Sequence, residues 1–173
     1  MVSCVSLIAT VVAGVMVAAG IAGAFTSTMK QKDGGDSRLY LYQYCDSGSG
    51  ECTTYDRPPS GDCDRRVYDR FTTAFALALI GSVLGVAVVI VSCVGALRKV
   101  PGMVGILIDL LCAASFIVSF VIIINLYREE FCPNAPLKTS QFSDNYNLDM
   151  GFAFLVVAAA LALFCVCLHA VSC

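Results

Sequence analysis

Four long apolar stretches decide what this chain can become. They run approximately from Val5 to Thr26, Phe71 to Leu97, Val104 to Tyr127 and Met150 to Val171. Each is long enough to cross a hydrocarbon core of about 30 Å, which takes roughly 20 helical residues. Composition agrees, since 58% of residues are hydrophobic and only 14% are charged, with a mean hydropathy of +0.79. Such a balance excludes an ordinary soluble domain. The expected fold is an all-α membrane protein: a four-transmembrane-helix bundle over residues 1–173, with helices about 5–26, 71–97, 104–127 and 150–171. Its external loops are 27–70 and 128–149, and the first of them is expected to carry a small extracellular antiparallel β-sheet.

The first span ends in small residues (Ala22, Gly23, Ala24), as a signal peptide would. It lacks a basic n-region, and its apolar run exceeds the roughly 7–15 residues of a signal h-region, so it reads as a retained helix.

The 10 cysteines orient the bundle. Cys45, Cys52, Cys63 and Cys132 lie in the two polar loops, whereas Cys4, Cys93, Cys112, Cys165, Cys167 and Cys173 lie within or at the ends of apolar segments. If the long loops face an oxidising compartment, all four loop thiols can pair while the rest stay on the reducing side. The first loop carries seven Lys or Arg against eight Asp or Glu, so a bare count of basic residues would invert the protein. The cysteine argument outweighs that count, because inversion would place four thiols in a reducing cytosol. The expected location is therefore the plasma membrane, multi-pass, with both termini cytoplasmic.

Within the first loop, Leu39 to Tyr44 alternates leucine or glutamine with tyrosine, which places Tyr40, Tyr42 and Tyr44 on one face of a strand. The turn residues Asp46 to Gly50 follow, and Cys52-Thr53-Thr54-Tyr55 restarts a β-prone run. Cys45 and Cys52 thus flank a hairpin, and a bond between them would add about 2–3 kcal/mol in the chain-entropy model. Cys63 would then pair with Cys132 and tie the two loops together. Cys52 with Cys63 and Cys45 with Cys132 is an equally permitted alternative.

Leu41-Tyr42-Gln43-Tyr44-Cys45, the second cysteine Cys52, Tyr55-Asp56 and Arg70 ahead of the second helix together resemble the first extracellular loop of claudins. That family reads Gly-Leu-Trp, two residues, Cys, about eight to ten residues, Cys; here Tyr40 and Tyr42 stand for the glycine and the tryptophan. Cys52-Thr53-Thr54 and Gly151-Phe152-Ala153-Phe154 are similar to the amastins, another branch of the same tetraspan group. The resemblance implies a surface protein working through contacts of its external cap. Contact residues would be Tyr40, Leu41, Tyr42, Tyr44, Tyr55 and Arg70. It also implies lipidation of cysteines at the cytoplasmic leaflet, for which Cys165, Cys167 and Cys173 are the candidates.

Polar residues inside lipid are candidates by default. Asp109 lies about six residues, or roughly 9 Å, inside the third helix. It is expected to be hydrated or paired with Arg98 or Lys99 at the same end. Asn125 is expected to hydrogen-bond between helices. Gly81 and Gly85, like Ala19 and Gly23, present small residues on one helix face, for packing within the bundle or for lateral self-association. His169 is the only histidine and is expected to snorkel at its helix end. No cluster has metal-ligand spacing, and no constellation supports His-dependent nucleophilic catalysis. No cofactor is expected.

Acids and bases are interspersed in both loops, so nucleic acid is not an expected partner. Membrane lipids, a second copy of the chain in a lateral oligomer, or another membrane protein are. No Asn-x-Ser/Thr sequon occurs. The expectation is a non-enzymatic tetraspan that presents a disulfide-stapled cap for lateral or trans contacts. An auxiliary subunit of a larger membrane complex or channel is the alternative. A disulfide-generating oxidase would need a Cys-x-x-Cys pair, which the loops lack.

Overall fold

In the computed structural model, which describes residues 4–32, 37–45, 51–54, 62–97, 102–128 and 142–172, the four apolar stretches are helices. They are α1 (Cys4–Phe25), α2 (Asp62–Leu97), α3 (Gly102–Arg128) and α5 (Met150–Ser172), with a single turn α4 (Phe142–Asn145) before the last strand. Helix α2 begins nine residues before the Phe71 start expected from hydropathy. Apolarity marks only the part of a helix that lipid covers. The added N-terminal turns carry exposed Arg65, Arg66 and Asp69 and need no lipid.

The helices touch in a ring, α1 to α2 to α3 to α5 and back to α1. Only 28% of the most apolar window in α1, and 33% of that in each of the others, is buried inside the bundle. The remaining apolar surface, including Leu7, Val11, Val83, Leu107 and Leu111, faces outward. Water would not tolerate so much contiguous hydrocarbon, whereas lipid covers it without penalty.

Lipid tails are as apolar as leucine, so close van der Waals packing, not exclusion of water, must hold the ring together. Its interior is accordingly built from small residues, with Ala13, Ala74, Ala78, Ala158 and Ala162 wholly buried. Phe116 of α3 fills the centre. A Cβ on Gly20 would lie 2.6 Å from the Phe116 ring, and one on Gly81 would lie 3.0 Å from it. Gly85 likewise admits Val17, whose methyl would be 2.7 Å away. These glycines therefore serve packing within the bundle. Gly20→Ala is expected to cost about 1–2 kcal/mol through overpacking. Phe116→Leu in the same chain should restore part of that loss in a detergent unfolding titration.

Five short strands form one antiparallel sheet in the order β4-β3-β2-β1-β5. They are β1 (Met29–Gln31), β2 (Arg38–Leu39), β3 (Gln43–Cys45), β4 (Cys52–Thr54) and β5 (Tyr146–Leu148). The sheet is larger than the first loop alone, because β5 comes from the second long loop and pairs with β1. Leu39 to Tyr44 is not one strand. Leu39 pairs with Tyr44 across a tight turn closed by Tyr40 N–H donating to the Gln43 carbonyl at 2.9 Å. The turn lets Leu41 drop into the core, fully buried, where a continuous strand would carry it past. Tyr40, Tyr42 and Tyr44 therefore do not share one strand face. Met29 and Leu39 line the sheet's inner side with Phe71.

Candidate functional site

Two places gather polar chemistry: the sheet with its junction to the helices, and a buried layer at the opposite end of the bundle.

The junction is built from the segment between α1 and β1. Thr28 donates to the Leu39 carbonyl through both its backbone N–H (2.8 Å) and its hydroxyl (3.0 Å). On the other side, Asp149 N–H donates to the Thr28 carbonyl and Gly151 N–H to that of Ser27, each at 2.8 Å. The Ser27 hydroxyl donates to the Asp149 carboxylate. One short peptide is thus fastened to β2 and to the start of α5, which fixes the sheet relative to the lipid-spanning helices. Lys32 adds a bond from its ammonium to the Ser143 carbonyl at 2.7 Å.

At the far side of the sheet, Cys45 and Cys52 stand directly opposite each other on β3 and β4 and form a disulfide. The expected hairpin staple is present, and it excludes the alternative in which each bonds elsewhere. Cys132 and Tyr55 lie outside the described residues, as does the side chain of Cys63 within α2. Tyr42 stacks on Phe25 and Phe75, with ring centroids 5.7 Å apart in each case, and lies 6.0 Å from Tyr40. Tyr44 packs against the core. Tyr42 and Tyr44 therefore help to seat the cap on the helix ends. Arg70 is half-buried on α2 just below the cap.

At the opposite end of the bundle, Asp109 and His169 correct the expectations made for them. Asp109 is wholly buried, and its Oδ2 lies 2.5 Å from His169 Nδ1. His169 does not snorkel; it is 8% exposed, and its Nε2 lies 3.1 Å from Ser92 Oγ. Each ring nitrogen thus has one hydrogen-bond partner, Nδ1 the Asp109 carboxyl and Nε2 the Ser92 hydroxyl. Gly105, one turn before Asp109, makes room for the ring, since a Cβ there would meet it at 3.3 Å. The order serine, histidine, aspartate is that of a hydrolytic triad. Ser92 is only 3% exposed, however, so no acyl group reaches its hydroxyl while the helices stay packed. What the layer does physically is bind α2, α3 and α5 together by polar contacts that lipid cannot replace. Asp109 Oδ1 has no hydrogen-bond partner among the described residues.

The other membrane candidates divide. Asn125 is exposed on α3, with no hydrogen bond among the described residues. A bond between helices, as expected of Asn125, is made instead by Ser119, whose buried hydroxyl donates to the Ala74 carbonyl of α2 at 2.8 Å. Cys165 is fully buried, which withdraws its thiol from lipidation, whereas Cys167 is a free, exposed thiol. Cys173 lies outside the described residues.

Four spans and a disulfide-braced sheet that unites both long loops suit more than one tetraspan branch, so the comparison with known families decides between them. The model for the amastin surface glycoprotein family matches residues 15–168. The chain belongs to the amastin family. Of the two resemblances in the sequence, the amastin one is thus borne out, and the match runs from within α1, through the whole sheet, into the last turns of α5. No curated protein matches the chain. It is a multi-pass surface membrane protein of the amastin type.

Proposed function

We propose that this amastin is a non-catalytic surface protein whose disulfide-braced sheet is held outside the plasma membrane, with both termini inside, to make lateral or trans contacts with other proteins. The observation that carries the reading is the edge strand β4. Cys52 and Thr54 are exposed, and among the described residues no strand pairs with the outer edge of β4. A terminal strand with exposed side chains can take contacts from a partner, and the bond to Cys45 holds β4 in register before the partner arrives. Preorganisation of this kind lowers the ordering cost of association. The orientation rests on the same disulfide, which needs an oxidising compartment, while Cys93, Cys112, Cys165 and Cys167 in the helices are free.

Photo-crosslinking tests the proposal. An ultraviolet-activated amino acid in place of Thr54 should yield covalent adducts on intact cells, and the same group at Val171, an exposed position near the end of α5, should not yield those species. Adducts with a second copy mark a surface coat or adhesive assembly. Adducts with one foreign membrane protein in fixed ratio mark an auxiliary subunit. Absence of adducts specific to position 54 would remove the edge strand as the contact surface.

A further inference from the structure

Where the outer side of the sheet meets the membrane, a cleft of about 420 Å3 opens between the end of α1, the β1–β2 pair and the start of α5. Its walls include Phe25, Lys30, Arg38, Tyr40, Asp149 and Met150. This volume falls within the roughly 300–1,000 Å3 of sites that hold small ligands. Lys30 and Arg38 stand directly opposite each other on adjacent antiparallel strands. Both are exposed, and neither forms an ion pair among the described residues. Like charges at facing positions of a sheet repel and destabilise the pairing unless something neutralises them. Asp149, the acid in the cleft, is one carboxylate against two cations, so the cleft carries an excess of positive charge.

The depth of the cleft identifies the anion. Phe25 and Met150 are the last residue of the first span and the first residue of the fourth, and they are 48% and 66% exposed. The aromatic row Tyr40, Tyr42, Phe25 and Phe75 lies at the same level, where tyrosine rings ordinarily mark the headgroup zone. Below it, Ile21 continues the outward apolar face of α1. A molecule in this cleft has two cations above it and hydrocarbon-facing side chains beneath it.

We propose that the cleft binds the phosphate group of an anionic lipid in the leaflet on the sheet's side, with Lys30 and Arg38 holding the phosphate and Phe25 and Met150 flanking the acyl chains. A guanidinium can engage a phosphate through two parallel N–H donors, and an ammonium adds a compact charge beside it. The lipid would relieve the repulsion between β1 and β2 and so anchor the sheet to the membrane surface. This inference does not depend on what the β4 edge contacts.

The test uses the full chain in an uncharged detergent, titrated with dihexanoyl phosphatidic acid and read by native mass spectrometry. A one-to-one adduct is expected, and the pair of substitutions Lys30→Gln and Arg38→Gln should weaken it about tenfold or more, as loss of charge-assisted bonds implies. The charge-keeping swap Lys30→Arg with Arg38→Lys should retain most of the binding, which separates loss of charge from loss of fold. Inorganic phosphate at the same concentration should not displace the lipid. Equal binding by the doubly neutral variant would overturn the site, and displacement by inorganic phosphate would overturn the lipid as its ligand.

Discussion

Asp109→Ala is expected to destabilise the protein by about 3 kcal/mol. An interhelical hydrogen bond within a membrane is by itself worth only about 0.6 kcal/mol, and at most roughly 1.7. The larger figure arises because His169 Nδ1 would lose its Asp109 partner inside a buried layer, a cost of the kind met when one member of a buried pair is removed. His169→Ala strands the Asp109 carboxylate in the same way. The double variant should therefore cost less than the sum of the two, with a coupling of about 2 kcal/mol. The chain has no tryptophan, so a thiol-reactive dye is the suitable probe: Cys112 and Cys165 are buried and free and become reactive as the helices part. Strict additivity in that assay would show that the residues do not act as one layer.

That layer is within reach of the sequence, although charge and proximity point to other partners. An up-and-down bundle of four spans brings the end of α2, the start of α3 and the end of α5 to one level. Ser92, Asp109 and His169 each lie within a few turns of those ends. Depth alone would have placed the three together. Arg98 and Lys99 are charged and near Asp109 in sequence, and helix rotation, which turns Asp109 inward, is not legible when a helix is apolar on every face. The same blindness explains Asn125 and Ser119, which lie under two turns apart on α3, one exposed and the other bonded to α2. Periodicity separates inside from outside only where the two differ in polarity.

Gly151→Ala carries the second large effect, about 3 kcal/mol, at the upper end for an added methyl group. A Cβ at this position would lie 2.7 Å from the Thr26 carbonyl oxygen and 2.8 Å from that of Ser27. These are backbone atoms, so no side chain can swing aside. The Ser27 carbonyl also accepts the Gly151 N–H, and the substitution would push apart the contact that fastens the sheet to α5. Its signature should differ from that of Asp109→Ala, because the sheet loosens first: protease should cut the sheet region before the buried thiols react. Simultaneous loss of both would indicate that the cap and the bundle melt as one unit.

The cap was only partly legible for a related reason. Alternation and turn residues pointed to a hairpin around Cys45 and Cys52, and that hairpin is there. Its closure by β5 was not visible, because Tyr146 to Leu148 is three residues long and acquires strand geometry only by pairing with β1, more than a hundred residues earlier. Long-range pairing of so short a segment leaves no local pattern to read.

Labelling of intact cells with a membrane-impermeant maleimide, before and after treatment with an impermeant reductant, tests most directly whether a disulfide-braced sheet faces outward. Cys45 and Cys52 should be unreactive at first and should both be modified once the reductant is added, without permeabilisation. Labelling of either before reduction, or only after the membrane is opened, would contradict the account.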